Sequence, residues 1–425
     1  MKKKLIFAVL ANLICGFLYA ELFFSGFSGA KLDFKLYDPM VVQENEDDEK
    51  PVEKEKVNPN LVMSAFFSGQ FTISNNVIIH TEFSVKTFDL ISDSIFDSLK
   101  QNLSNSTFQI DEISLIFRGQ MLHAMNYFSV FIGTYEPIGS DIFLQRQFGL
   151  KPISSKITES WMGMAGSIIY PLFGLGISDV IHFDEQPIAI GAYIYFNKED
   201  PGYVLNADLR FGCAYRFFTL DVSAGIGFPL LSSSRDDAYI LVEKIYSRAG
   251  INMLIGNAYT TSFFVQAGFS KLPFYRNPDK SFDINDVEFY FLLEPRFKFN
   301  AFEIDFSLFS LPADTVSNFI FVRETLGLNI NVFTDQLFVK NNAILFGTNL
   351  ELGFPGKNYL DFAHINDWFV DGVKNLKIAF APYVGTRFLT GELHAMIQVD
   401  ITKIINESVN WYKAFELNLG YKVQF

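Results

Sequence analysis

The chain has only two cysteines in 425 residues, Cys15 and Cys213. Cys15 falls in an N-terminal segment that reads as cleavable, so no internal disulfide is available and stability must come from pairing and packing. Long apolar runs are missing as well. After Ala20 no stretch approaches the roughly 18 consecutive apolar residues of a spanning helix. Transmembrane helices are therefore excluded, although mean hydropathy is +0.18. Basic residues are in deficit, with 34 Lys and Arg against 47 Asp and Glu and a net charge of −13. A surface of that sign does not suit a phosphate backbone, so nucleic acid is not an expected partner. Histidine is sparse and scattered, at His80, His123, His182, His364 and His394. No H-E-x-x-H, G-x-S-x-G, Walker loop or Cys/His zinc spacing occurs. The sequence thus offers no catalytic residue, no metal site and no cofactor, and a non-enzymatic role is expected.

Aromatic residues are abundant, with 49 Phe and 18 Tyr. They recur at every second position. At the C-terminus Phe415, Leu417, Leu419, Tyr421, Val423 and Phe425 share one face of a strand, and Glu416, Asn418, Gly420, Lys422 and Gln424 share the other. Leu61, Met63, Ala65, Phe67, Phe71 and Ile73 alternate with polar residues, and Asn75-Asn76 then supplies a tight turn. The same rhythm returns around Leu205–Cys213, Phe218–Phe228, Phe289–Phe299, Phe302–Leu308 and Leu393–Ile401. Each segment is about 10 to 15 residues long, the length of a tilted membrane-crossing strand. No repeat of fixed period accompanies them, so a propeller or solenoid is not supported.

The N-terminus agrees. Met1-Lys2-Lys3-Lys4 is a basic region, Leu5 to Tyr19 is uncharged and apolar, and Ala20 suits a cleavage position, which makes 1–20 a secretory signal peptide. Its loss takes the net charge from −13 to −16, because Lys2, Lys3 and Lys4 leave with it.

With a terminal Phe425 on an alternating last strand, the chain resembles the bacterial outer-membrane β-barrel proteins. That resemblance implies an all-β fold, a transmembrane antiparallel β-barrel of about 18 strands spanning 21–425. Sixteen strands is the nearest alternative, and 14 with an N-terminal plug begun by Phe23, Phe24 and Phe27 is a further one. It also implies a location in the outer membrane of a Gram-negative-type bacterium, with lipid and the barrel assembly machinery as partners. Phe415, Leu417, Leu419, Tyr421, Val423 and Phe425 would then be the assembly signal. Oligomeric state is left open.

Outer-membrane barrels have short turns at one end and long loops at the other. Counting back from Phe425 puts long connections near 403–410, 355–374, 311–316, 273–286, 230–245 and 198–202 outside. Short ones near 388–390, 334–336, 300–301, 256–260, 214–216 and 184–186 fall inside. The count stays in phase upstream if 161–183 is one long strand bent at Pro171. Segments 137–160, 91–106 and 38–59 are then external. Residues 38–59 carry a solvated charge run, and 91–104 has apolar residues at helical spacing. Trp161, Trp368 and Trp411 fall near outer strand ends, as an aromatic girdle would.

Two features point to function. Asp208, Arg210, Asp221, Glu294, Arg296, Lys298, Glu303 and Asp305 lie on polar strand faces, which makes them candidate pore-lining residues. They could equally form cross-strand ladders that stiffen the wall. In the loop 137–160, Ile142, Phe143, Leu144, Phe148 and Leu150 are more apolar than a solvated loop needs. This loop is expected to fold inward as a constriction, presenting Asp141, Arg146, Lys151 and Lys156 to the channel. The general porins fold the loop at this position inward, and that likeness is positional only. The reading is a diffusion channel for small hydrophilic solutes. A substrate-specific transporter of the fatty-acid-transporter type and an adhesive or structural surface barrel are its alternatives.

Overall fold

The computed structural model describes residues 23–36, 59–87, 108–121, 123–150, 153–158, 170, 172–199, 202–232, 240–241, 244–257, 259–275, 287–311, 319, 321–339, 342–354, 376–406 and 411–425. Eighteen wall strands make one closed antiparallel sheet. In chain order they begin with β1 (Phe23–Lys35), β2 (Asn60–Ser74), β3 (Val77–Lys86), β4 (Phe108–Met121), β5 (Ala124–Thr134) and β6 (Phe173–Phe183). Next come β7 (Ile188–Glu199), β8 (Gly202–Tyr215), β9 (Phe218–Ser232), β11 (Lys244–Ile255), β12 (Ser262–Tyr275) and β13 (Glu288–Lys298). The last are β14 (Glu303–Ser310), β15 (Leu326–Val339), β16 (Asn342–Phe354), β17 (Lys377–Phe388), β18 (Gly391–Asp400) and β19 (Phe415–Gln424). A two-residue strand, β10 (Ile240–Leu241), pairs with the end of β9.

Closure follows from β1. It pairs with β2 from Phe23↔Thr72 to Lys35↔Asn60, and with β19 from Phe27↔Gln424 to Lys35↔Glu416. Phe425 adds a reciprocal pair of backbone bonds with Gly26, each 3.0 Å, and its ring lies 5.0 Å from that of Phe24. Phe23, Phe24 and Phe27 thus belong to a wall strand. A ring of strands paired on both sides has no free edge, which is the condition for β-structure in hydrocarbon.

The two faces sort as alternation requires. Leu209 is 65% exposed between Asp208 and Arg210 at 3% and 2%. Phe297, Phe306, Leu308, Leu417 and Leu419 are exposed, whereas Glu294, Arg296, Asp305 and Ser307 are buried. An outward apolar face around a closed even-numbered barrel needs lipid against it, so the chain is a transmembrane β-barrel of the outer-membrane type. Among the described residues no helix is long and apolar enough to cross a membrane.

Connections alternate in length. At one end strands are joined across 75–76, 122–123, 184–187, 216–217, 256–261, 299–302, 340–341 and 389–390. At the other end lie long ones, including 135–172, 311–325 and the β18–β19 connection, which holds the short helix α2 (Ile401–Asn406). Three local expectations fail. First, β6 begins only at Phe173. Tyr170 bridges to Ile138 of the preceding connection, and Leu172 takes φ 46°, so the chain turns instead of running on as a long bent strand. Second, 334–336 is not a turn, since β15 runs through it to Val339, which pairs with Asn342. The register slips between Thr334 and Leu337, so a bulge absorbs one extra residue of β15 and the strand continues to Val339. Third, the connection at 198–202 is short, because β7 and β8 pair out to Glu199↔Gly202.

The signal peptide, most of the charge run at 38–59, the helical pattern at 91–104, Trp161 and Trp368 lie outside the described residues. Trp411 opens a 3-10 turn, Trp411–Ala414.

An outward wall predicts a depth-dependent penalty for charge. Leu209→Arg, halfway along β8, should cost about 2–4 kcal/mol, and Phe217→Arg, in a rim turn, about 0–1 kcal/mol. Reversible urea unfolding of the barrel from lipid vesicles measures both; equal costs would mean that Leu209 does not face hydrocarbon.

Candidate functional site

The connection after β5 does not rise away from the barrel. It begins with Tyr135, which is buried, and Gly139 takes φ 99°, a left-handed conformation that a side chain would strain. Helix α1 (Ile142–Phe148) follows, ended by Gly149 at φ 62° with its N–H on the Gln145 carbonyl at 2.9 Å. The Asp141 carboxylate accepts the N–H groups of Ile153 and Ser154 and the Ser154 hydroxyl, closing the segment on itself. A 3-10 turn (Lys156–Thr158) ends its second half. Phe143, Leu144 and Ile157 are fully buried.

Wall side chains of the inner face grip this segment from several directions. On β4, Glu112 receives Arg146 Nη2 at 2.6 and 2.8 Å. On β7, the Tyr193 hydroxyl donates to Glu136 at 2.5 Å. On β8, Arg210 binds both oxygens of Asp221, at 2.8 and 2.6 Å, donates to the Glu136 carbonyl at 2.6 Å, and lies 4.5 Å over the Phe143 ring. Gln266 of β12 donates to the Gly139 carbonyl at 2.8 Å. On the far side Arg296 donates to the Ile153 carbonyl at 2.9 Å and to Glu294 at 2.8 Å. Glu294 also accepts the Ser155 and Ser307 hydroxyls. Lys156 sits 5.5 Å over the Phe333 ring of β15. The segment therefore crosses the interior from β4 to β15. A buried carbonyl without a donor is costly, and arginine and glutamine supply the donors here.

Between these anchors the wall facing the segment carries apolar residues. Phe131, Val180, Tyr195, Leu254, Phe264, Leu292 and Phe309 point inward and pack with Phe143, Leu144, Ile153 and Ile157 in one buried cluster. Period-two reading treats inward positions as wet and polar. These are dry in that each keeps at most 2% of its surface accessible to solvent. Opposite the dry side a cavity of about 460 Å³ remains, lined by His80, Glu82, Arg118, Tyr127, Gln145 and Arg146 among others.

The sequence-selected residues fall into different roles. Asp208 does not meet Asp221; it binds Arg248 of β11, with Nε and Nη2 each 2.7 Å from its carboxylate. Gly225 of β9 is the register partner of both Asp208 and Arg248, and a Cβ there would stand 1.6 Å from Asp208 Oδ1. That glycine opens the gap through which the pair meets. Arg210 with Asp221, and Glu294 with Arg296, anchor the crossing segment as described. Asp305 is buried beside them as the register partner of Arg296. Lys298 and Glu303 pair at 3.5 Å near the turn and are partly exposed. Asp141 is 1% exposed and braces the loop instead of facing the channel. Lys151 lies outside the described residues. Glu112, Glu136, Tyr193, Arg248 and Gln266 were not legible as site residues. Glu136 lies in the segment itself, and the other four sit on inward strand faces, where alternation does not tell which residue meets which.

Burial and partners shift the segment's charges. Burial pushes the Asp141 carboxyl from 3.8 up to about 6, against the Ser154 and Ile153 donors and the Arg296 charge. Burial disfavours the Arg146 charge, but Glu112, Tyr135 and Glu136 outweigh it and keep the guanidinium firmly protonated.

No protein-family model matches this chain, and no curated protein does. Among solved structures, a BenF-like porin from Pseudomonas fluorescens Pf-5 aligns over 95% of this chain and 98% of its own, at 6% identity and TM-score 0.49. OccAB4 of Acinetobacter baumannii aligns over 95% and 97%, at 9% identity and TM-score 0.42. Wzi of Escherichia coli, an outer-membrane carbohydrate-binding β-barrel involved in capsule assembly, aligns over 97% and 86%, at 10% identity and TM-score 0.42. Identities and scores this low say nothing about what enters the barrel.

Two measurements test the anchoring. Arg210→Ala leaves Asp221 buried without its partner and should cost about 3–5 kcal/mol in urea unfolding; Arg210→Ala with Asp221→Ala should cost less than the single change, since no lone charge remains. The raised Asp141 value favours the protonated form in the folded barrel. Its contribution to stability is full below 3.8 and is lost as pH rises through about 6. Asp141→Asn should flatten the stability–pH curve across that window, and an unchanged slope would assign it to other groups.

Proposed function

We propose that this barrel is an outer-membrane diffusion channel for small hydrophilic solutes, narrowed by the segment 135–158. One observation carries the reading. The segment is fastened across the interior to β4, β8, β12 and β13, yet a cavity of about 460 Å³ stays open beside it, where charged and amide side chains share the lining with Phe27, Ile78, Ile116 and Ile142. A narrowed wet passage whose wall alternates Glu82, Arg118, Gln145 and Arg146 passes polar solutes and sorts them by size and charge. On this reading the pairs Arg210–Asp221 and Glu294–Arg296 set the width of the passage by holding the segment, and Arg146 faces the solute. The role needs no catalytic group.

Single-channel recording of the refolded protein in planar bilayers decides it. Wild type should give stepwise conductance that rises with salt. Deletion of 141–156 should raise the unit conductance severalfold, because the crossing segment is the obstruction. Unchanged conductance in a correctly assembled deletion would remove the segment from the mechanism. Silence of both proteins would favour a surface barrel that binds partners through its long loops.

A further inference from the structure

Two carboxylates in this barrel stand where like charges are least welcome. Glu82 of β3 and Glu112 of β4 are direct register partners, and both point inward, 7% and 0% exposed. Like charges directly opposite across a ladder are destabilising, and burial adds to the cost. The register slips at the same place, with Asp111 the extra residue of β4, as happens where a strand re-aims its side chains. His80, two residues before Glu82 on the same face, puts Nε2 3.0 Å from Glu82 Oε1. Ligand atoms of His80, Glu82 and Glu112 all lie within 4.8 Å of one another.

The charge balance is incomplete. Arg146 binds both oxygens of Glu112 and lies 3.5 Å from Glu136, so one guanidinium serves two acids. Glu82 ion-pairs with His80, a cation only when protonated. We infer that His80, Glu82 and Glu112 form a binding site for a divalent transition cation of the zinc class, which competes with Arg146 for Glu112. One neutral imidazole and two carboxylates are a hard-to-borderline donor set suited to such an ion, and three protein ligands leave a fourth position open. His80 and Glu82 line the cavity of about 460 Å³, which gives the ion an entry path. A dication neutralises both facing carboxylates while His80 stays neutral. It also takes from Arg146 the Nη2 contact that ties α1 to β4, so binding loosens the crossing segment.

The test is Zn²⁺ binding to the full refolded barrel in detergent, by calorimetry, with assembly checked by gel mobility of unheated samples. Wild type should bind one Zn²⁺. His80→Ala should weaken binding at least about tenfold. Arg146→Gln should tighten it, because the competing cation is gone. These opposite signs separate the site from adventitious binding and from general damage. Unaltered affinity in His80→Ala, or no tightening in Arg146→Gln, overturns the inference, as does loss of binding in His394→Ala. Should a variant fail to assemble, diethyl pyrocarbonate footprinting of wild type serves. Zn²⁺ should protect His80 and leave His182 and His394 reactive, and no protection of His80 overturns the inference. Binding is read without conductance, so its failure leaves the channel reading standing, and a silent channel leaves the site standing.

Discussion

The constraint on which everything else rests is that hydrocarbon offers no hydrogen bonds to a backbone. Every N–H and C=O that crosses must pair within the protein, so a sheet in lipid has to close. Closure here depends on β1 serving two neighbours at once, β2 and β19, and on the Gly26–Phe425 pair at the rim. Once the ring is closed, one face of every strand is committed to lipid and the other to an interior too wide for wall side chains alone to fill.

That interior is where this barrel makes its particular choice. Segment 135–158 crosses it and divides it into a dry side and a wet side. On the dry side the wall turns apolar at inward positions, with Phe131, Phe264, Leu292 and Phe309 packed on Phe143 and Ile157. At its borders sit arginines, because a buried carboxylate and a buried carbonyl can share one guanidinium. Arg210 satisfies Asp221 and Glu136, and Arg296 satisfies Glu294 and Ile153. Breaking such a pair strands a charge, which explains why the segment is a fixed part of the barrel and not a loop resting in its mouth. On the wet side the acids exceed the available cations, and that imbalance faces the cavity.

Glycine takes part in this arrangement through its missing side chain. At Gly225 the strand between β8 and β11 is stripped back so that Asp208 and Arg248 meet over it. The pair stiffens three adjacent strands near the dry side. Its cost in β-propensity is offset by a buried, bidentate ion pair.

The sequence by itself determined the architecture. Period-two alternation between Leu61 and Phe425 assigns most strand residues to lipid or interior without knowledge of any distant contact, because side chains on a regular strand alternate. A count of about 18 strands and most of the long–short order of connections followed from the same local rule, the connection at 198–202 excepted. It failed where the chain departs from that rule, at the bulge near Thr334–Leu337 and the turn at Leu172, since neither has a period to read. The site was legible only as a pool of inward charges and an apolar loop. Which charge meets which was decided by tertiary structure. Asp208 reaches Arg248 across a third strand, Asp141 turns back onto its own loop, and Glu112 meets Arg146 from 34 residues away. Such pairings depend on how a closed wall and one crossing segment meet in space, and no local pattern encodes that.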